Sequence, residues 1–235
     1  MSTIYEWDWA AAKRHFNRAL ALDPNYALAH MWHGIYLLWI ERNVDEAVAE
    51  LERAVTLDPL SPMSAGLLAT GLYSAGQYSD ALVHAQRAVQ LVPNWNSYRM
   101  LGRAYLAGER HKEAIAALDT AVQLSGRHPW TLMPLANALA KTGDTAGAVS
   151  LLDELVTRSR QEYVYPTVVG SVAGYLGRVD EAFEWFERAF DEHDTYLLFL
   201  HGVTGENPVW RMPPRLLQDP RLDTLWRRMG LDQFH

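Results

Sequence analysis

The chain has 235 residues and a mass of 26.6 kDa, and 49% of its residues are apolar, which is enough to bury a sizeable core and excludes a disordered chain. Its 21 Lys and Arg against 28 Asp and Glu leave a net charge of −7, which argues against direct nucleic-acid binding, because that needs a basic face to displace counterions from phosphates. There is no cysteine, so disulfides, thiolate metal sites and cysteine nucleophiles are excluded.

The opening MSTIYEWDW has neither the basic n-region nor the apolar h-region of a signal peptide. The most apolar run, GIYLLWI at residues 34–40, is far short of the ~20 residues that span a bilayer. A soluble, cytoplasmic chain with no membrane partner is the expectation. The first predicted helix carries Ala12, Phe16 and Ala19, which precede Pro24 by 12, 8 and 5 residues. Pro59 and Pro93 follow at intervals of 35 and 34. Ala81, Ala85 and Ala88 repeat the offsets before Pro93, and Ala114, Leu118 and Ala121 before Gly126. The pattern goes on with Ala148, Leu152 and Leu155, then with Ala182, Phe186 and Ala189 before Asp194. This spacing places three residues on one stripe of a helix, small where two backbones approach closely.

Between these helices lies a second kind. It has a small residue at Gly34, Ala69, Gly102, Ala136 and Gly170, preceded by Leu68, Leu101, Leu135 and Val169 in the last four. Leu37, Leu72, Tyr105 and Leu139 follow three positions later. Gly76, Gly108, Gly143 and Gly177 suit the left-handed residue that ends such a helix, and carboxylates in NVDEA, YSDA, HKEA and RVDEA sit at the positive start of the next one. A two-helix period of about 34 residues with these signatures resembles the tetratricopeptide repeat, which has Trp, Leu-Gly and Tyr in its helix A and Ala, Phe, Ala and Pro in its helix B.

The resemblance covers about residues 8–194, recurs six times, and implies an all-α, right-handed solenoid of about six helix-turn-helix repeats. Residues 1–7 are too few for a first helix A, so the first repeat is incomplete and the natural chain is expected to continue upstream. The consensus tryptophan position holds His30, Ala65, Tyr98, Leu132 and Pro166. Pro134 and Pro166 are read into the first turns of their helices, and the extra residue of repeat two into its inter-helix turn. The solenoid is assigned to residues 1–194 and a C-terminal capping segment to 195–235. That segment begins with a short apolar helix, passes a Pro/Gly-rich loop, and ends in a helix with Asp219 as N-cap, Pro220 in its first turn and Leu222, Leu225, Trp226 and Met229 on one stripe. Its DPRLDTLWRRMGL ending resembles the tails of bacterial multidomain signalling proteins, in which such arrays follow a DNA-binding domain, a cyclase or a kinase.

Motifs for chemistry are absent. There is no GxxxxGK, GxGxxG or HExxH, and Ser171 lacks the GxSxG spacing of a nucleophile elbow. His30 and His33 share a helix face with no carboxylate one turn away, so they are read as packing histidines and no metal or cofactor is expected. The carboxylates of residues 180–194 are read as a solvated face. The expectation is a non-enzymatic scaffold.

In the family, positions 2, 5, 9, 12 and 13 of each helix A line the concave surface. The 25 residues at these positions include no acid, in a chain of net charge −7. Met31, Trp39, Tyr73, Arg99, Arg103, Trp130, Asn137, Lys141 and Tyr175 form the candidate peptide-binding groove. Residues 96–160 carry 8 Lys and Arg against 6 Asp and Glu, and an acidic peptide is the expected ligand. The alternative is a sensory or self-association arm of a larger bacterial signalling protein.

Overall fold

The computed structural model describes residues 7–203 and 213–234. Eleven helices follow one another as antiparallel neighbours: α1 (Trp9–Leu22), α2 (Ala27–Tyr36), α3 (Val44–Leu57), α4 (Pro62–Ser74), α5 (Tyr78–Leu91), α6 (Trp95–Ala107), α7 (His111–Leu124), α8 (Pro129–Thr142), α9 (Thr145–Arg158), α10 (Pro166–Tyr175) and α11 (Val179–Asp191). Among the described residues three short α-helices follow, α12 (Leu197–Val203), α13 (Pro214–Leu217) and α14 (Pro220–Arg228), and then a 3-10 turn over Asp232–Phe234. No strand occurs among the described residues. The array is a right-handed solenoid of helix pairs, as the resemblance implies.

Local chemistry sets the helix starts. The Asp8, Asn43 and Asp144 side chains accept from the third backbone N–H beyond each, at 2.8, 3.3 and 2.9 Å. Pro62, Pro129 and Pro166 stand in first turns, where no N–H is needed. The stripes Ala47/Leu51/Ala54, Ala81/Ala85/Ala88, Ala114/Leu118/Ala121, Ala148/Leu152/Leu155 and Ala182/Phe186/Ala189 are all 0% exposed. The facing helix must then be small: a methyl at Gly34, Gly102 or Gly170 would come within 2.7, 2.5 or 2.6 Å of Leu51, Leu118 or Phe186.

Three local expectations change. Gly108 ends α6 with φ −82, and the left-handed position falls on Glu109 at φ 57. Pro134 lies inside α8, because His128 caps Trp130 N–H and starts that helix at Pro129. The extra residue of repeat two is absorbed within the end of helix A, as a π turn over Leu37–Glu41 closed by Arg42 at φ 56 and by Asn43 N–H donating to the Leu37 carbonyl at 3.0 Å.

The capping helix α14 lies on α11. Leu222, Leu225, Trp226 and Met229 are 1–3% exposed. Arg221 pairs with Asp180 at 2.9 Å and covers the Phe183 ring, while Arg228 reaches Glu187 and covers the Phe190 ring. The same tail meets the other end of the array: Trp9 Nε1–H donates to the Met229 carbonyl at 2.7 Å, and Trp7 stacks on His193. The solenoid therefore closes through its C-terminal segment.

Candidate functional site

Three of the candidate groove residues, Trp39, Arg103 and Trp130, meet α12. After α11 the chain turns into the concave face, where Leu197, Leu198, Phe199, Leu200 and His201 are all 5% exposed or less. The turn is held by Asp194, itself 3% exposed. Its Oδ1 accepts from Tyr196 N–H at 2.9 Å and its Oδ2 from Thr167 N–H at 3.0 Å, so one carboxylate serves the start of α12 and the first turn of α10. Burial pushes this carboxyl up, against the pull of those two N–H groups. Asp194→Ala is expected to cost ~1–3 kcal/mol, the penalty of leaving buried donors unpaired, measured by urea unfolding, with exchange of the 196–201 amides accelerated.

Phe199 is the centre of the site. Its ring meets Trp39 edge-on at 5.6 Å and Trp130 at 5.7 Å between centroids, and the Arg103 guanidinium carbon lies 4.7 Å from its centre. Tyr196 stacks on Trp130 at 3.9 Å and meets Tyr165 edge-on at 4.6 Å. His201 Nδ1–H donates to the Trp39 carbonyl at 2.8 Å. That carbonyl belongs to the π turn, so the one-residue irregularity of repeat two supplies the acceptor that α12 uses.

Of the sequence candidates, Trp39, Arg103 and Trp130 touch Phe199, while Tyr73 lies under Arg103 at 5.5 Å. Arg99 stands 5.5 Å from the Trp130 ring and donates from Nε and Nη2 to Asn96 Oδ1 at 3.2 and 2.7 Å. Burial, aided by Arg103, pulls the Arg99 guanidinium down to about 9, so it stays charged at neutral pH. Asn137 Nδ2 donates to Ser171 Oγ at 3.3 Å, and burial pushes the Tyr175 phenol up. Met31 lies in the core with Ser64 Oγ–H on its sulfur, and Lys141 is exposed. The two groove arginines are thus not an open patch. Arg99 is 7% and Arg103 3% exposed, beneath aromatic rings.

A carboxylate does reach His30 and His33, but from α3: Glu50 Oε2 lies 2.6 Å from His30 Nδ1 and 3.4 Å from His33 Nδ1. No group of three or more His, Asp or Glu among the described residues is arranged to hold a metal. Sequence reasoning missed Tyr196, Phe199 and His201 as groove residues. The available signal was the YLLFL run, apolar on every side, which no one-sided cap requires.

Residues 7–62 and 67–129 match one tetratricopeptide repeat family model, and residues 105–165 match a second. The cytochrome c-type biogenesis protein CycH of Pseudomonas aeruginosa is 30% identical over 169 residues, covering 63% of this chain and 41% of that protein. Human tetratricopeptide repeat protein 13 is 28% identical over 126 residues, covering 52% of this chain and 15% of that protein. The chain thus spans less than half the length of either relative. Among solved structures, the type IV pilus biogenesis factor PilW superposes with a TM-score of 0.60 at 18% identity, covering 85% of this chain and 94% of that one. The Cut9–Hcn1 assembly of the APC/C gives 0.61 at 16% identity, covering 97% and 47%. At these identities the likeness is one of fold. No helix among the described residues is long and apolar enough to cross a membrane.

Proposed function

Because the chain belongs to the tetratricopeptide repeat family, we propose that it is a non-enzymatic protein-binding scaffold whose ligand site is the concave groove, with helix α12 as the internal occupant that a partner segment displaces. The observation that carries this reading is the seating of Phe199 between Trp39, Trp130 and Arg103, with the next anchor, Tyr196, stacked on Trp130. A groove that holds a short helix of its own chain is shaped for a helix of the same chemistry. The occupant has no carboxylate between residues 195 and 203. Arg103 acts on it through the Phe199 ring face, so the favoured partner is an aromatic and aliphatic helix, with acidic groups dispensable.

A labelled peptide of residues 194–203 tests the reading. Phe199→Ala in the full chain weakens the internal occupant, and the variant is expected to bind the peptide at least tenfold more tightly than the unaltered chain, by fluorescence anisotropy. Equal or absent binding by the two proteins would sink the groove as a ligand site.

A further inference from the structure

The array carries a second surface, at its N-terminal end. Within the solenoid each large helix-B residue is enclosed from two sides. Leu51 of α3 is met by Gly34 of its own repeat and by Gly71 of the next, where added methyls would come within 2.7 and 3.0 Å of its side chain. Phe16 holds the corresponding place on α1. Its next-repeat side is filled, with ring centroids 5.5 Å from Tyr36 and 5.6 Å from His33. Among the described residues no helix lies on its own-repeat side, and Phe16 remains partly exposed where Leu51, Leu118, Leu152 and Phe186 are 0% exposed.

Among the described residues, the C-terminal tail meets the first turn of α1 through Trp9 and Met229. Beyond it lies an open cleft of about 230 Å³, lined by Phe16 and Ala19 of α1, Tyr26 before α2, and Leu28, Ala29 and Trp32 of α2. Tyr26, Leu28 and Trp32 are 47%, 47% and 44% exposed and form an apolar cluster. The cleft continues the helix-on-helix interface that every later repeat fills.

We propose that this cleft docks an amphipathic helix supplied by a partner protein, lying antiparallel on α1 with a Gly over Phe16 and an aliphatic residue beside it against Leu28 and Trp32. The small residue follows from the three close approaches above: Gly34, Gly102 and Gly170 each lie where a methyl would strike the residue equivalent to Phe16. This site is separate from the concave groove and needs no movement of α12.

The probe is a labelled peptide with the sequence of α6, WNSYRMLGRAYLA, whose Leu101-Gly102 pair sits in the required register over Leu118. The full chain is expected to bind it, with at least a tenfold loss when the peptide carries Gly102→Leu. A similar loss is expected when the chain carries Leu28→Glu or Trp32→Glu, two exposed positions at which the thermal midpoint should hold. No binding, or binding indifferent to Gly102→Leu, overturns the proposal. So does sedimentation showing a dimer of the unaltered chain that Trp32→Glu converts to monomer, since the cleft would then belong to self-association.

Discussion

Trp226→Ala is expected to lower stability by ~3–5 kcal/mol, the range for deleting a buried large aromatic, and the thermal midpoint by about 6–20 °C for a chain of this size. Trp226 is 3% exposed, so its removal leaves a cavity between α14 and the repeats. The loss should spread, because the Trp226 ring also meets His201 edge-on at 5.2 Å, and His201 is the residue that ties α12 to the Trp39 carbonyl. The ion pairs of Arg221 and Arg228 with α11 are exposed and orient α14 more than they hold it. Urea unfolding gives the stability change, and hydrogen exchange of the 196–201 amides reads the coupling. If those amides stay protected in the variant, the groove helix is held independently of the cap.

The repeats were legible in the sequence because their signals are local and recur. An alanine stripe and a facing glycine, as in Ala182/Phe186/Ala189 and Gly170, state a backbone approach that sidedness alone enforces. What failed to show depends on contacts across long separations. Arg99 and Arg103 look like a cationic patch on their helix face, and only the packed array puts Arg99 against the Trp130 ring and Arg103 against the Tyr73 and Phe199 rings. The hydrogen bond from His201 to Trp39 joins residues 162 positions apart. Glu50 is twenty residues from His30 and on the next helix, outside any search along one face. The 35-residue interval between Pro24 and Pro59 announced an extra residue, but either the turn or the helix end can hold it. Helix α2 ends in the bulky run Leu37–Ile40, and the wider π turn keeps Leu37, Leu38 and Ile40 buried together.

Arg99→Glu combined with Arg103→Glu is expected to release α12 from the groove while leaving α1 to α11 folded. At present both guanidinium groups lie against ring faces, whose negative quadrupole attracts a cation, and Arg99 also donates twice to Asn96 Oδ1. A carboxylate in either place meets the same ring faces and the same acceptor with the opposite sign. An uncompensated charge left in such surroundings costs ~3–5 kcal/mol. Unfolding a repeat would forfeit several fully buried side chains, each worth ~1.5–3 kcal/mol. Lifting α12 exposes its own buried side chains but leaves the stripes of every repeat packed, so it is the smaller response. Far-ultraviolet circular dichroism should therefore fall only slightly, while the Trp130–Tyr196 stack is lost and the 196–201 amides exchange freely. Arg99→Met with Arg103→Met keeps the aliphatic stems without introducing a negative charge, and should retain α12 with a smaller loss of stability. A charge-reversed chain that keeps the Trp130–Tyr196 stack and its full stability would show that the arginines do not lie beneath α12, and the concave face would then be open to an acidic partner.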